Sequence, residues 1–516
     1  MNLRIRTTDI ILAVFSGLLT ALAFPKWSLT FLVWISLIPL FFIVLKYKPS
    51  QTFFIGFLAG FSYYALLIYW IPSVPAHYGN LSLPLSLLIY LVFVLFLALF
   101  WGVFCLVFSR IYRSFPKSAF MLSPLIWISL EYILTHIFTG FPWGLLGSSQ
   151  YQNLFFIQMA CVSGVYGLSL IIVLFQSMFV FSVKHRKRAP FLITVALLLL
   201  IHLSGFLALK KEPSTMDSFK AAVIQGNVSS DIYWDRVTDQ EIESLFRRHI
   251  DLSRKAYEEG AELVIWPEFS VTLCFSCPQI LYQDFKKRLF QFVQETGTTL
   301  LLGTNEAALS EGKMQFYNTA LCLSPDLSIT QYHKIHLVPF GEYTPYKKVF
   351  SFIEKMTHAI GDITPGEEYT LHRYDRYLFG SPICYEIIFP DLVRKFVKKG
   401  AHFLVTITND GWYGNSSAPY QHFSMAVFRA VENRRYLLRA ATTGISGIID
   451  PHGRVLKKSE MMTIAYLSAE IYPSEDVTIY TRYGDILPFL GLTFTVLFLI
   501  LALIKRTDER KETSEG

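Results

Sequence analysis

Apolar positions follow two kinds of pattern along this chain. In residues 1–211 and 481–516 they run together almost uninterrupted, whereas between these stretches they recur in short alternating or helical periods. A helix needs about 20 apolar residues to cross ~30 Å of hydrocarbon. Eight runs are read as candidate spans, at residues 10–24, 29–45, 53–71, 81–108, 120–137, 154–183, 190–209 and 486–504. The first is short, but no small-residue cleavage site precedes the turn at Pro25, so it is expected to be retained rather than removed as a signal peptide.

Between residues 218 and 474 the pattern predicts an α/β domain. FKAAVIQ (219–225), LVIW (263–266) and TTLLL (298–302) read as strands, followed by strands at 319–323, 377–384, 403–408 and 447–450. Amphipathic helices are expected at 239–260, 282–296 and about 424–439. Alternation of this kind argues for helices packed on sheets, an α/β layered sandwich joined to a multi-span α-helical membrane domain. The division expected is 1–211 for seven transmembrane helices, 212–480 for the α/β domain, and 481–516 for a last transmembrane helix and tail.

Charge gives the spans a direction. One set of span ends carries fifteen Lys and Arg, among them Arg4, Arg6, Lys46, Lys48, Arg110, Arg113, Lys117 and Lys184, while the opposite set carries only Lys26, Lys210 and Lys211. Short cytoplasmic loops are the basic ones. Both termini are therefore expected in the cytoplasm, and everything from about Glu212 to Tyr480 on the far side of the membrane. The net charge of +7 suggests no nucleic acid, because residues 1–211 hold 14 basic and two acidic residues while the rest is mildly acidic. With 53% hydrophobic and 16% charged residues, the composition excludes disorder and argues against a purely cytosolic enzyme. Glu131 is the one acid well inside a span, and a functional carboxylate and a bundle-facing hydrogen-bonded group are both open readings.

Three strand ends present matched chemistry: Glu268 in VIWPEFS, Lys334 in YHKIHLVPFGEYTPY and Cys384 in GSPICYEIIFPD. A thiol with an ordinary pKa near ~8.5 needs a base to become a nucleophile. Glu268 is a candidate for that base, and the Lys334 ammonium for holding negative charge on a tetrahedral intermediate. Taken singly, a strand-end Cys is usually inert and a lone Glu or Lys a solvated charge.

WPE, HKxHLVPFGE and CYE in this order, with TNDGWYG at 408–414, resemble the nitrilase superfamily, whose triad is Glu, Lys and Cys. With the spans before and after it, and GFPW at 140–143, the chain as a whole resembles the bacterial apolipoprotein N-acyltransferase family. The resemblance implies catalytic Glu268, Lys334 and Cys384, with Glu342, Tyr385, Glu386, Asn318, Trp234 and Trp412 in supporting or substrate-binding positions. It also implies transfer of an acyl chain, the sn-1 chain of phosphatidylethanolamine, through a Cys thioester to the α-amine of a lipoprotein's S-diacylglyceryl-cysteine. No cofactor or metal is expected.

Two competing functions are a membrane-tethered amidohydrolase, with water as acceptor, and a non-catalytic lipid-binding or transport protein on the same scaffold. Val349, Phe350, Phe352 and Ile353, interspersed with lysines, have the composition of an interfacial lid and equally of a core-packed helical turn. Cys274 and Cys277 form a CxxC without a second ligand pair for zinc nearby in sequence, leaving a local disulfide or two free thiols. Cys105, Cys161 and Cys322 are read as packing residues.

Overall fold

A computed structural model describes residues 4–79, 81–211, 216–228, 238–270, 274–275, 280–310, 312–345 and 363–515. The chain divides into two compact units. The first comprises residues 1–72, 83–210 and 483–516, and the second residues 73–82 and 211–482. The short segment Ser73–Ser82, which the sequence places within the membrane domain, thus groups with the α/β unit.

The first unit is helical. Among the described residues, five helices are long and apolar enough to cross a membrane: Leu83–Ser114, Pro116–His136, Ala160–His185, Ala189–Ala208 and Ile486–Thr507. Helices Thr7–Leu22 and Pro49–Leu67 cover the first and third expected spans. The second expected span is not continuous: a 3₁₀ turn, Thr30–Trp34, precedes a seven-residue helix, Ile38–Val44. Pro39 explains the restart. Proline has no N–H to bond back to a preceding turn but suits the first turn of a new helix, and the Leu37 N–H at the helix start donates to Gln176 Oε1 at 2.6 Å. The run at 154–183 is also interrupted, with one turn at Leu154–Ile157 and a backbone break at Gly164 (φ +62°). On Ala189–Ala208, Leu192, Ile193 and Leu199 are at least 60% exposed, as expected of surface facing lipid.

Glu131 accepts hydrogen bonds from Trp127 Nε1 (2.9 Å) and from the Leu146 N–H (2.7 Å), through the same oxygen. It ties the segment after GFPW to its own helix, as a bundle-facing group. Asp9, the other acid, accepts from Lys46 Nζ (2.9 Å) and Tyr47 Oη (2.6 Å).

Among the described residues, the second unit contains two six-stranded sheets. Their strands are β1 (Phe219–Gln225), β2 (Leu263–Ile265), β3 (Thr299–Ser310), β4 (Lys313–Leu323), β5 (Ile329–His333), β6 (Leu371–Tyr374), β7 (Tyr377–Gly380), β8 (Phe403–Thr408), β9 (Leu437–Ala441), β10 (Gly447–Ile449), β11 (Val455–Lys458) and β12 (Ala465–Ile471). One sheet has the order β12-β1-β2-β3-β4-β5 and the other β11-β10-β9-β8-β7-β6.

Alternation along β1 makes the layers. Ala222 and Ile224 join an apolar cluster with Phe246 and Phe285 of the helices Asp239–Glu258 and Ile280–Thr296. Phe219 points the other way, its ring 5.4 Å from that of Phe403 on β8 of the second sheet. All six residues of β8 are buried, because both faces are covered. The helix expected at 424–439 begins earlier and ends earlier, at Ala418–Asn433, and Leu437–Ala441 is a strand. Arg434 in left-handed geometry (φ +51°) closes the helix and lets the chain turn back into the sheet.

Candidate active site

Glu268, Lys334 and Cys384 meet where strands of the two sheets end. Glu268 lies three residues beyond β2, Lys334 directly follows β5, and Cys384 follows β7, where Ile383 still bridges Ile407 of β8. Bringing Glu268 there requires close backbone approach. A Cβ on Gly303 of β3 would lie 2.6 Å from Glu268 Cα and 2.7 Å from the Pro267 carbonyl oxygen.

Glu268 is 2% exposed, Lys334 1% and Cys384 4%. Lys334 Nζ lies 2.9 Å from Glu342 Oε1 and 3.5 Å from Glu268 Oε1. Asn318 Nδ2 donates to both carboxylates at 2.8 Å, holding them on either side of the ammonium. Glu268 Oε2 accepts from the Asn409 N–H at 2.7 Å, and the Glu268 charge acts on the Cys384 thiol. Glu342 Oε2 accepts from the Val338 N–H at 2.7 Å. Both carboxylates are therefore anchored by backbone and side-chain donors, and the Lys334 ammonium by the carboxylates.

The protonation states follow from that packing. Burial, followed by the charge of Glu268, raises the Cys384 pKa, against the pull of Lys334, so the resting thiol is neutral. Burial also raises Glu268, with Lys334 opposing and Glu342 reinforcing. For Lys334, burial works against the charge, but Glu342 and Glu268 outweigh it and raise the pKa, so the ammonium persists. A neutral thiol, a carboxylate with raised proton affinity and a fixed cation form a set suited to nucleophilic catalysis with a proton shuttle.

Glu386 takes a different place from the other acids. It accepts from Tyr332 Oη (2.8 Å) and the N–H groups of Ile335 (2.8 Å), His336 (3.0 Å) and Ile383 (2.7 Å). It buttresses the segments carrying Lys334 and Cys384, and burial lifts its pKa to about 7. Tyr385 is buried beside His336, with ring centroids 5.8 Å apart. Trp412 packs edge-on against Tyr78 (4.7 Å), whose hydroxyl donates to the Gly411 carbonyl at 3.0 Å.

Trp234, Cys277 and the candidate lid residues Val349, Phe350, Phe352 and Ile353 lie outside the described residues. Cys274 is disulfide-bonded, whereas Cys105, Cys161, Cys322 and Cys384 are thiols outside any disulfide. Among the described residues no cluster of His, Cys, Asp and Glu is arranged to hold a metal.

Residues 220–475 match the carbon-nitrogen hydrolase family, and residues 16–178 match the apolipoprotein N-acyltransferase N-terminal domain. Over 514 residues the chain is 37% identical to the apolipoprotein N-acyltransferase of Geobacter metallireducens, covering 97% of this chain and 96% of that protein. The chain belongs to the apolipoprotein N-acyltransferase family. Another relative of that name, from Wigglesworthia glossinidia brevipalpis, is 31% identical over 96% of this chain and 97% of its own length. Among solved structures, Saccharomyces cerevisiae Nit3 of the nitrilase superfamily matches 51% of this chain and 93% of its own, at 21% identity and a TM-score of 0.39. Membership in this N-acyltransferase family makes the chain an acyltransferase of membrane character.

Sequence reasoning missed three buried polar residues beside the cluster: Asp410, His422 and Arg439. Asp410 stood in the TNDGWYG motif, but His422 and Arg439 lie in apolar stretches where nothing local marks a polar contact.

Proposed function

We propose that this chain moves a fatty acyl group from a phospholipid to the α-amine of a lipoprotein's N-terminal S-diacylglyceryl-cysteine, with Cys384 as the covalent carrier. The observation that carries this reading is the burial of Cys384 with Glu268 and Lys334 at the strand ends, the Lys334 ammonium 3.5 Å from Glu268 Oε1 and burial and the Glu268 charge together raising the thiol pKa. Glu268 takes the thiol proton as sulfur attacks the ester carbonyl, and Lys334 stabilises the resulting oxyanion. Collapse breaks the ester C–O bond. Glu268 returns the proton to the departing lysophospholipid oxygen, leaving a thioester. The lipoprotein amine then attacks that thioester, Glu268 accepts the amine proton and passes it to the sulfur, and an amide and the free thiol remain.

The sn-1 chain of phosphatidylethanolamine is the donor in this reading. The division into 1–211, 212–480 and 481–516 and the fifteen-to-three charge bias support a multi-pass inner-membrane protein with cytoplasmic termini and a periplasmic catalytic domain. Intact mass spectrometry of the full chain incubated with phospholipid tests the chemistry. An acyl-sized, hydroxylamine-sensitive increase is expected in the parent and not in Cys384→Ala. Adding a diacylglyceryl-cysteine peptide should move the acyl group to the peptide as a hydroxylamine-resistant amide. A sensitive adduct on Cys384→Ala would refute the nucleophile, and release only of free fatty acid would favour an amidohydrolase.

A further inference from the structure

Cys384 has φ +51°, in the left-handed region that L side chains rarely occupy. Such a conformation persists only where the surroundings over-determine it. On one side of Cys384, the Ile383 N–H donates to Glu386 Oε2 at 2.7 Å. On the other, the carbonyl of Cys384 itself lies 3.1 Å from His422 Nε2. A carbonyl only accepts, so Nε2 carries the hydrogen in this contact.

His422 is locked in turn by residues from two other elements. Its Nδ1 lies 2.9 Å from Asp410 Oδ1 and 3.1 Å from Arg439 Nη2. Arg439 Nη2 also donates to Asp410 Oδ2 at 2.7 Å, and Arg439 Nε donates to the Ile445 carbonyl at 3.1 Å. Thr408 Oγ1 donates to Asp410 Oδ1 at 3.2 Å. His422 and Arg439 are fully buried, and Asp410 is 1% exposed. Burial opposes the charge of Asp410, but Arg439 and His422 outweigh it and bring the pKa to about 2, so the carboxylate is ionised.

Apolar side chains of similar volume would fill this space at no greater cost than a buried ion network. What they would not supply is a donor to the carbonyl of residue 384. The Cys384–Tyr385 peptide is trans and planar, so its C=O and N–H point to opposite sides. Holding the oxygen therefore fixes the direction of the N–H that follows the thiol. A backbone N–H in that position commonly serves an oxyanion during acyl transfer.

We propose that His422, oriented by Asp410 and Arg439, is a positioning residue whose Nε2–H holds the Cys384 carbonyl and so aims both the thiol and the Tyr385 N–H at the acyl carbonyl. This rests on Cys384 being the nucleophile. His422 transfers no proton in the reaction and works only through the backbone of residue 384.

Two polar variants in the full-length protein test the role. His422→Gln can place an amide N–H near the Nε2 position, whereas the shorter His422→Asn reaches only the Nδ1 position and keeps its polar contact with Asp410. The readouts are the single-turnover rate of acyl-enzyme formation, its dependence on phospholipid concentration, and the infrared stretch of the thioester carbonyl. For His422→Gln the rate should stay within about tenfold of the parent, while His422→Asn should lose about 100-fold, the scale of one lost oxyanion donor. The phospholipid dependence should be unchanged in both, and the thioester stretch should rise in His422→Asn alone. Equal rates in the two variants, a loss confined to phospholipid dependence, or failure of both to fold would overturn the proposal. Cys384→Ala separates the two levels. If it still forms the adduct, the nucleophile assignment fails as well; if it is inert while the Gln and Asn variants are equal, only the role of His422 fails.

Discussion

In the proposed mechanism Glu268 gains and then releases a proton in each half-reaction, and its surroundings pull in both directions. Burial and Glu342 favour the protonated form, and Lys334 favours the ionised one. The net shift is upward from the ordinary 4.5. A base works only when ionised, so a raised pKa moves the acid limb of the rate to higher pH. Acyl-enzyme formation measured against pH should therefore fall with an apparent pKa above 4.5. Replacing Glu268 with Gln should remove that limb and lower the rate by about two to four powers of ten, the range for loss of a general base. A limb at or below the ordinary value, or a Gln variant within tenfold of the parent, would remove Glu268 from this role. Glu268, Lys334 and Cys384 were legible as candidates from residue type and motif order, and Asn318 as a supporting residue from its motif, while its shared donation to Glu268 and Glu342 emerged only when β4 brought it between them.

Strand ends set the geometry on which those residues depend. Because β3 passes against Glu268 so closely, Gly303→Ala should displace the carboxylate and slow acyl-enzyme formation at least about tenfold, with a stability loss of about 1–3 kcal/mol typical of overpacking. A control away from the site is available in the helix Asp239–Glu258. There Thr238 accepts from the Glu241 N–H at 3.3 Å while Glu241 Oε2 accepts from the Thr238 N–H at 2.8 Å. Thr238→Ala should cost about 1 kcal/mol in thermal or denaturant unfolding and leave the acylation rate unchanged. If Gly303→Ala reacts at the parental rate, the tight approach does not position Glu268. Periodicity located most of the strands of this unit, but it merged the strand Leu437–Ala441 into a preceding helix. LLRAA has no alternation to reveal it, since all five residues are buried.

For the whole molecule, the distribution of Lys and Arg is the basis for orientation. Single cysteines placed in loops 46–48, 110–117 and 184–188 of a cysteine-depleted variant should resist a membrane-impermeant thiol reagent in intact cells with a permeabilised outer membrane. A cysteine on the exposed strand β11 should be labelled under the same conditions. The reverse pattern would overturn the proposed topology. This measurement depends on side of the membrane alone, and so is independent of whether Cys384 or His422 has the role assigned to it.

The sequence by itself determined the class of each half and the candidates for the reacting groups. Long apolar runs have few alternatives to membrane helices, since an unpaired backbone is too costly in hydrocarbon. The order WPE, HKxHLVPFGE and CYE marked Glu268, Lys334 and Cys384 because motif residues are adjacent in the chain. Tertiary structure alone decided how those groups are held. The interrupted run at 29–45, the seat of Glu131, and the contacts of Asn318 with two carboxylates depend on partners distant in sequence. The same is true of His422, which meets the Cys384 carbonyl across 38 residues and Arg439 across 17. A polar residue in an apolar stretch can be read as satisfied or as functional until the fold supplies its partner, because a hydrogen bond is a matter of ångströms in space and leaves no periodicity in the chain.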